Sequence, residues 1–289
     1  GVLFLIYETE FDGEIIFSLH PTSCQLVRVV AEGSSPEQCI SLGQRKDGFG
    51  MRYMGIMTGI AWAAHTRRDY CHQGLQTGNW IHHTNNTEAN ALMGFPIGKN
   101  CNLCEIGHKG YFNLTDDGEP VINALYESCL RAQVRQAFKK GSKKLGLKPK
   151  GFKKGYLNVA VHVRRGDIVR ENRGKWNAKL RFVSLRKTGK MMSYVRTLHK
   201  GKKIFFNVYS EGSKENFKSL TKEKDVKLQL LGEKGMMETF YSLAEADILI
   251  ITTSSFSYVA AMLQKESTEI YYPKEWGLYF KPLEHWHGI

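Results

Sequence analysis

From Tyr156 onward the chain alternates short apolar runs with longer amphipathic stretches. The runs are short, rich in Val, Ile and Phe, and bounded by polar residues or glycine, so they predict strands at 157–163, 203–209, 226–230, 247–251 and 268–272. Helical spacing between them predicts helices at about 190–200, 213–221, 236–245 and 255–265. Such alternation argues for a parallel sheet covered on both faces, a Rossmann-like α/β domain. The first half is less regular. Val2 to Tyr7 and Glu14 to Phe17 predict short strands, the first of them central, and Ser34, Ser35 and Pro36 predict a loop. Met51 to Ala64 predicts an apolar helix, and Glu119 to Lys140 a second one with Val121, Leu125, Leu130, Val134 and Phe138 on one side. A second α/β domain fits this half.

The polar residues that end the strands carry the chemistry. Leu157 to Val163 stops at Arg164 and Arg165, and Gly166 allows a tight turn into Asp167. Two guanidiniums there are costly unless an anion faces them, and the planar fork of arginine meets two phosphate oxygens at once. Ligands of open α/β sheets bind outside the carboxyl ends of the strands. A pyrophosphate site is one reading; an Arg164–Asp167 or Arg165–Asp167 ion pair closing the turn is another. Arg165-Gly166-Asp167 also has the form of an adhesion tripeptide, but it follows a buried strand instead of a loop tip. Ile248 to Ile251 runs into Thr252, Thr253, Ser254 and Ser255, where a helix begins. Ser254 or Ser255 can cap that helix, or join its free N–H groups in binding phosphate. In the first half, Gly48-Phe49-Gly50 opens the helix at Met51, where glycine either turns a corner or lets a ligand reach the backbone. Arg52 in its first turn opposes the helix dipole, which makes sense opposite an anion.

Three segments in order, Asp47 to Ile60 (DGFGMRYMGIMTGI), His162 to Asp167 (HVRRGD) and Ala246 to Ser257 (ADILIITTSSFS), resemble fucosyltransferases that use GDP-fucose. The likeness is to the α-1,2 and α-1,6 enzymes and, more distantly, to the protein O-fucosyltransferases. It implies the GT-B-type glycosyltransferase fold, two Rossmann-like domains facing a cleft. Residues 1–150 would form the acceptor side and 151–289 would bind the GDP-sugar. The implied reaction is inverting attack of an acceptor hydroxyl at C1 of fucose, with GDP leaving. Arg164 matches an arginine on which the α-1,6 enzymes depend, and Ser255 their phosphate-binding serine. Their base-binding aspartate falls on Thr239, with Glu238 beside it, and Tyr209-Ser210-Glu211 stands in place of a ribose-binding Thr-Asp-Asp run. By this reading Arg164, Arg165, Ser254, Ser255 and helix N–H groups take the diphosphate, and Glu211 the ribose. His162 with Glu238 or Thr239 takes the guanine edge, while Gly48, Gly50 and Arg52 complete the donor contacts. Asp167 and Glu171 are the general-base candidates. Arg67 to His83 resembles an acceptor-side segment. No DxD-type pair stands at a strand end, so a metal-independent transferase with no cofactor beyond GDP-fucose is expected, acting on a glycan or glycoprotein. Another nucleotide sugar, or a catalytically silent sugar-nucleotide or glycan-binding protein, would use the same frame.

Composition bears on partners and compartment. The 289 residues, 42% hydrophobic, suffice for one large domain or two ordinary ones. The net charge of +13 suggests nucleic acid until it is located, since residues 128–158 hold ten Lys and Arg and no acid, leaving +3 for the rest. That segment, with Gly141, Gly146, Pro149, Gly151 and Gly155, reads as an exposed interdomain connection or an electrostatic attractor for an acidic donor or acceptor. It lacks the aromatic interleaving of a nucleic-acid platform. All six cysteines lie within the first 129 residues, which permits disulfides there. Cys101-x-x-Cys104 with His72, His82, His83 and His108 has no second pair at zinc-ribbon spacing, so a disulfide or packed thiols are favoured over a metal. Asn85 and Asn113 head glycosylation acceptor patterns. The opening apolar run is too short to span a membrane. A membrane anchor preceding Gly1 would make the protein type II, facing the Golgi lumen or the secretory pathway.

Overall fold

The computed structural model describes residues 7–11, 14–18, 26–31, 35, 37–42, 48–75, 86–99, 101–107, 129–166, 168, 180–231, 235–276 and 282–289. The chain divides into two units, Gly1–Gly146 and Leu147–Ile289. Both are α/β with parallel sheets.

In the amino-terminal unit β1 (Tyr7–Phe11) and β2 (Glu14–Ser18) pair antiparallel, with Thr9 opposite Ile16. Among the described residues these two strands form a two-stranded sheet of their own. Residues 2–6 lie outside the described residues. A separate parallel sheet contains β3 (Val29–Val30), β4 (Cys39–Leu42), β5 (Asp69–Cys71) and β6 (Glu105–Gly107), in the order β3-β5-β4-β6. Against it packs α1 (Phe49–His65), and α3 (Cys129–Lys144) packs on both α1 and α2 (Asn86–Met93). Met54, Met57 and Ile60 of α1 are fully buried. Disulfides Cys39–Cys104 and Cys71–Cys101 pin the segment around β6 to the sheet, their sulfurs clustered with Val30. Closing loops of 65 and 30 residues stabilises this unit by roughly 3–4 kcal/mol each on the chain-entropy account.

The basic segment is not one exposed connection. Residues 119–128 lie outside the described residues, but from Cys129 the helix runs to Lys144, four residues past the expected end. Gly141 and Ser142 are buried where α3 packs on α2, while Lys139, Lys140, Lys143 and Lys144 face outward. Further on, the backbone is laid down on the second unit. Lys150 N donates to Ser242 Oγ (2.8 Å), Tyr209 Oη donates to Lys150 O, and Lys153 N donates to Asn158 Oδ1 (2.7 Å).

The carboxyl-terminal unit follows the hydrophobic pattern closely. Its elements are β7 (Leu157–Val163), α4 (Leu185–Leu198), β8 (Ile204–Ser210), β9 (Val226–Leu230), α5 (Met236–Ala244), β10 (Ile248–Ile250), α6 (Ser255–Met262), β11 (Glu269–Tyr272) and β12 (His287–Gly288). The strands form one parallel sheet in the order β12-β11-β10-β7-β8-β9. Alternate residues of β7 serve opposite faces. Val159, Val161 and Val163 join Phe206, Val208, Ile248 and Ile250 in a core closed by Met191, Met192 and Val195 of α4. Burying each such side chain contributes roughly 1.5–3 kcal/mol. His162, on the other face, meets Phe256 of α6. Two expectations fail for local reasons. The helix at 213–221 is one 3-10 turn, Lys214–Phe217, because Phe217 and Leu220 are too few apolar residues for a buried stripe. Helix α4 starts five residues early because the Ser184 hydroxyl caps it, accepting from Lys187 N at 3.2 Å.

The contact between α2 and α3 is testable. A Cβ on Gly141 would lie 2.1 Å from the carbonyl oxygen of Ala91 and 2.4 Å from that of Leu92, both backbone atoms. We expect Gly141→Ala to lower unfolding stability by about 1–3 kcal/mol in denaturant titration, despite the better helix propensity of alanine. An unchanged or raised midpoint would contradict this packing.

Candidate nucleotide site

In sequence order from β7, the sheet grows one way through β8 and β9, then returns to the other side of β7 for β10, β11 and β12. The direction reverses between β7 and β10, so the segments leaving those two strands diverge and open a crevice at their carboxyl ends. Val161 is paired with Ile250, and Arg164 and Thr253 therefore leave the sheet at the same level.

Those two strand ends are joined across the crevice. Arg164 N donates to Thr252 Oγ1 and Arg164 Nη1 to Ser254 Oγ, each at 3.4 Å. Ser254 is the N-cap residue of α6, yet its hydroxyl makes no capping bond. The first N–H groups of α6 thus lack the usual side-chain acceptor, and no acidic residue occupies the first turn. Thr253, 1% exposed, has a hydroxyl with no hydrogen-bond partner among the described residues. Ser255 is half-buried at the first helical position.

His162 lies one residue inside the end of β7, 5% exposed, with its ring 5.5 Å from that of Phe256. Burial, and then the cations Arg164 and Arg165, push its pKa down to about 3. The imidazole is neutral at physiological pH, and its Nδ1 has no partner among the described residues. Phe256 also packs edge-on against Phe240 of α5, so one aromatic joins β7 to both helices on this face.

The two arginines diverge. Arg165 Nη1 donates to Arg164 O (2.6 Å) and Nη2 to Val183 O (3.0 Å), with the guanidinium over the Phe182 ring. It braces the strand end, whereas Arg164 reaches toward α6. Gly166 has φ +76°, and a Cβ there would stand 2.0 Å from Glu211 Oε2. Glycine is needed both for the turn and for the Glu211 carboxylate, which follows β8 and rests on this turn. Thr239 is 3% exposed within α5, leaving the half-buried Glu238, whose Oε2 has no partner among the described residues, as the polar group of that first turn. Asp167 and Glu171 lie outside the described residues.

Gly48, Gly50 and Arg52 belong to the amino-terminal unit. Gly48 is the exposed N-cap of α1 with φ −65°, Gly50 is buried within the helix, and Arg52 is 5% exposed in its first turn. Cys101 and Cys104 pair with Cys71 and Cys39, not with each other. Among the described residues no group of three or more His, Cys, Asp or Glu side chains gathers to hold a metal. No described helix is long and apolar enough to cross a membrane. The sequence reading passed over Thr252, Thr253 and Phe256 as site residues, although the TTSSFS run contains all three.

No protein-family profile matches the chain, and no curated protein does. Solved structures that do match include the fucosyltransferase NodZ from Bradyrhizobium, 14% identical, with a TM-score of 0.45 over 78% of this chain and 94% of that one. NodZ, as an α-1,6-fucosyltransferase soaked with GDP-fucose, matches with the same score over 78% and 93%. POFUT1 in complex with GDP is 10% identical, with a TM-score of 0.43 over 82% of this chain and 99% of that one. Scores below 0.5 carry no functional conclusion.

His162 and His72 give the fold a defined pH dependence. Burial lowers His72 to about 4, and burial with neighbouring cations lowers His162 to about 3, against 6.5 in the unfolded chain. As pH falls below about 6.5 the unfolded chain takes up protons that the folded one refuses, so stability is full above that value and lost toward pH 4. At pH 5 the loss is about 2 kcal/mol per histidine. His162→Asn should remove its share of the difference between denaturant midpoints at pH 7 and pH 5. An identical difference in variant and wild type would contradict the neutral, buried imidazole.

Proposed function

We propose that the chain is an inverting glycosyltransferase that moves fucose from GDP-fucose to a glycan or glycoprotein hydroxyl. The observation that carries the proposal is the Arg164–Ser254 contact across the switch point, with the uncapped amino end of α6 beside it. A guanidinium and a helix amino terminus converge there, the combination that suits a diphosphate. The HVRRGD and TTSSFS segments, through their resemblance, narrow the nucleotide to GDP and the sugar to fucose.

In this reading Arg164 stabilises the negative charge that develops on the departing diphosphate, and Ser254, Ser255 and Thr253 with the first N–H groups of α6 hold its oxygens. His162 stays neutral, so its unpartnered Nδ1 exchanges a hydrogen bond with the donor without adding charge. Glu238 accepts from the donor edge of guanine, the role left open by Thr239, and Glu211 binds ribose hydroxyls. Arg165 positions Arg164 through its main-chain oxygen. Asp167 or Glu171 serves as general base. The GT-B pairing of the two units, with the amino-terminal one on the acceptor side, is part of the same proposal. So is a secretory compartment, supported by the Cys39–Cys104 and Cys71–Cys101 disulfides.

Calorimetric titration of GDP and GDP-fucose in the presence of a chelator tests this reading. Wild type should bind both without metal, and Arg164→Ala should weaken GDP at least about 30-fold, as expected when one partner of a charged contact is removed. Equal GDP affinity in the folded variant would remove Arg164 from the site. A folded wild type that binds another nucleotide in preference to GDP would retain the site and overturn the sugar assignment, and one that binds no nucleotide would overturn the enzyme.

A further inference from the structure

The segment that enters the second unit is tied to the helix that carries Glu238. On β8, Phe206 and Val208 face the core under α4, so Tyr209 stands on the opposite face, where it is the cross-strand neighbour of His162. The Tyr209 phenol is fully buried, and burial raises its pKa, so the hydroxyl stays protonated and acts as a donor. It donates to Lys150 O. Beside it, Gly151 (φ +85°) lies so close to the sheet that a Cβ would stand 2.3 Å from Asn207 Oδ1 and 2.3 Å from Gln229 Nε2. Residues 150 and 151 thus cover β8 and β9, while α5 packs on β7.

The same peptide holds α5. Lys150 N donates to Ser242 Oγ at 2.8 Å, and Ser242 Oγ donates to Glu238 O at 2.5 Å. A serine bonded to the carbonyl four residues back is ordinary in a helix. Here the hydroxyl also accepts from outside the helix, so a hydrogen-bonded chain runs from β8 through the Lys150 peptide to the first turn of α5. That turn has no side-chain cap, because its N-cap residue is Gly235. Glu238 stands in it. An acid there suits the helix dipole, but the dipole does not require a carboxylate oxygen that is buried and unpartnered among the described residues, as Glu238 Oε2 is. A carboxylate placed to accept from the 2-amino group of guanine accounts for both the position and the missing partner.

We infer that Tyr209 and Ser242 are positioning residues for base recognition, holding the first turn of α5, through the Lys150 peptide, where Glu238 meets the 2-amino edge of guanine. The inference rests on the donor reading, within which it assigns the specificity for the base. The segment leading in from the first unit is then part of the nucleotide site instead of a passive tether.

Calorimetry on the whole chain with GDP, inosine diphosphate, which lacks the 2-amino group, and inorganic pyrophosphate tests this. Wild type should prefer GDP to inosine diphosphate at least about tenfold, the span of one hydrogen bond to a charged group. Tyr209→Phe, which removes only the hydroxyl, should cut that preference to about threefold or less while pyrophosphate affinity stays within about twofold. Ser242→Ala breaks the same chain at the helix and should do likewise, which keeps the test intact if a thermal melt shows one variant unfolded. In a Glu238→Ala background, Tyr209→Phe should change the preference no further, because it acts through the group already removed. A preference kept in the folded variants, a matching loss of pyrophosphate affinity, or a further loss in the Glu238→Ala background would overturn the inference. A wild type that binds pyrophosphate without preferring GDP would overturn Glu238 as the base reader and the inference with it. One that binds none of the three would overturn the donor reading itself.

Discussion

The site depends on two sources of positive potential meeting in one crevice. Arg164 leaves the end of β7 and the amino end of α6 leaves the end of β10, and the sheet order makes these strands neighbours. Charge concentrated in this way, partly out of water, is unfavourable in isolation and favourable opposite an anion. The surrounding features follow from that constraint. Arg165 is tied to backbone oxygens instead of turning a second guanidinium toward α6, His162 is kept neutral, and the Ser254 hydroxyl accepts from Arg164 instead of capping its own helix.

The two units are stabilised differently. The carboxyl-terminal sheet is buried on both faces, and its core is continuous from Val159 to Tyr271. The amino-terminal parallel sheet has strands of two to four residues and draws on two disulfides clustered with Val30. Short strands bury little apolar area each, so covalent closure of long loops matters more there.

The carboxyl-terminal fold was legible because its strands are buried on both faces and read as apolar runs. The limits of β7 and β9 agree with the sequence reading, and those of β8, β10 and β11 shift by one residue. Arg164 and Ser254 were legible because polar residues that end buried strands must face something. Illegible features depended on packing that local pattern does not encode. Nothing in Arg164-Arg165 says which guanidinium folds back, since that depends on Phe182 and Val183, distant in sequence. The run from Gly141 to Lys144 looked like linker because its glycine weakens a helical pattern, yet Gly141 is what lets α3 approach α2.

The central claim is that a diphosphate occupies the crevice between β7 and β10. Amide hydrogen exchange with and without saturating GDP addresses it most directly, because the diphosphate oxygens would accept from the first N–H groups of α6. The account predicts slowed exchange concentrated at residues 253–257 and at the end of β7, with β9 and the amino-terminal sheet unchanged. Bound GDP that leaves the amides of 253–257 unaffected would contradict it.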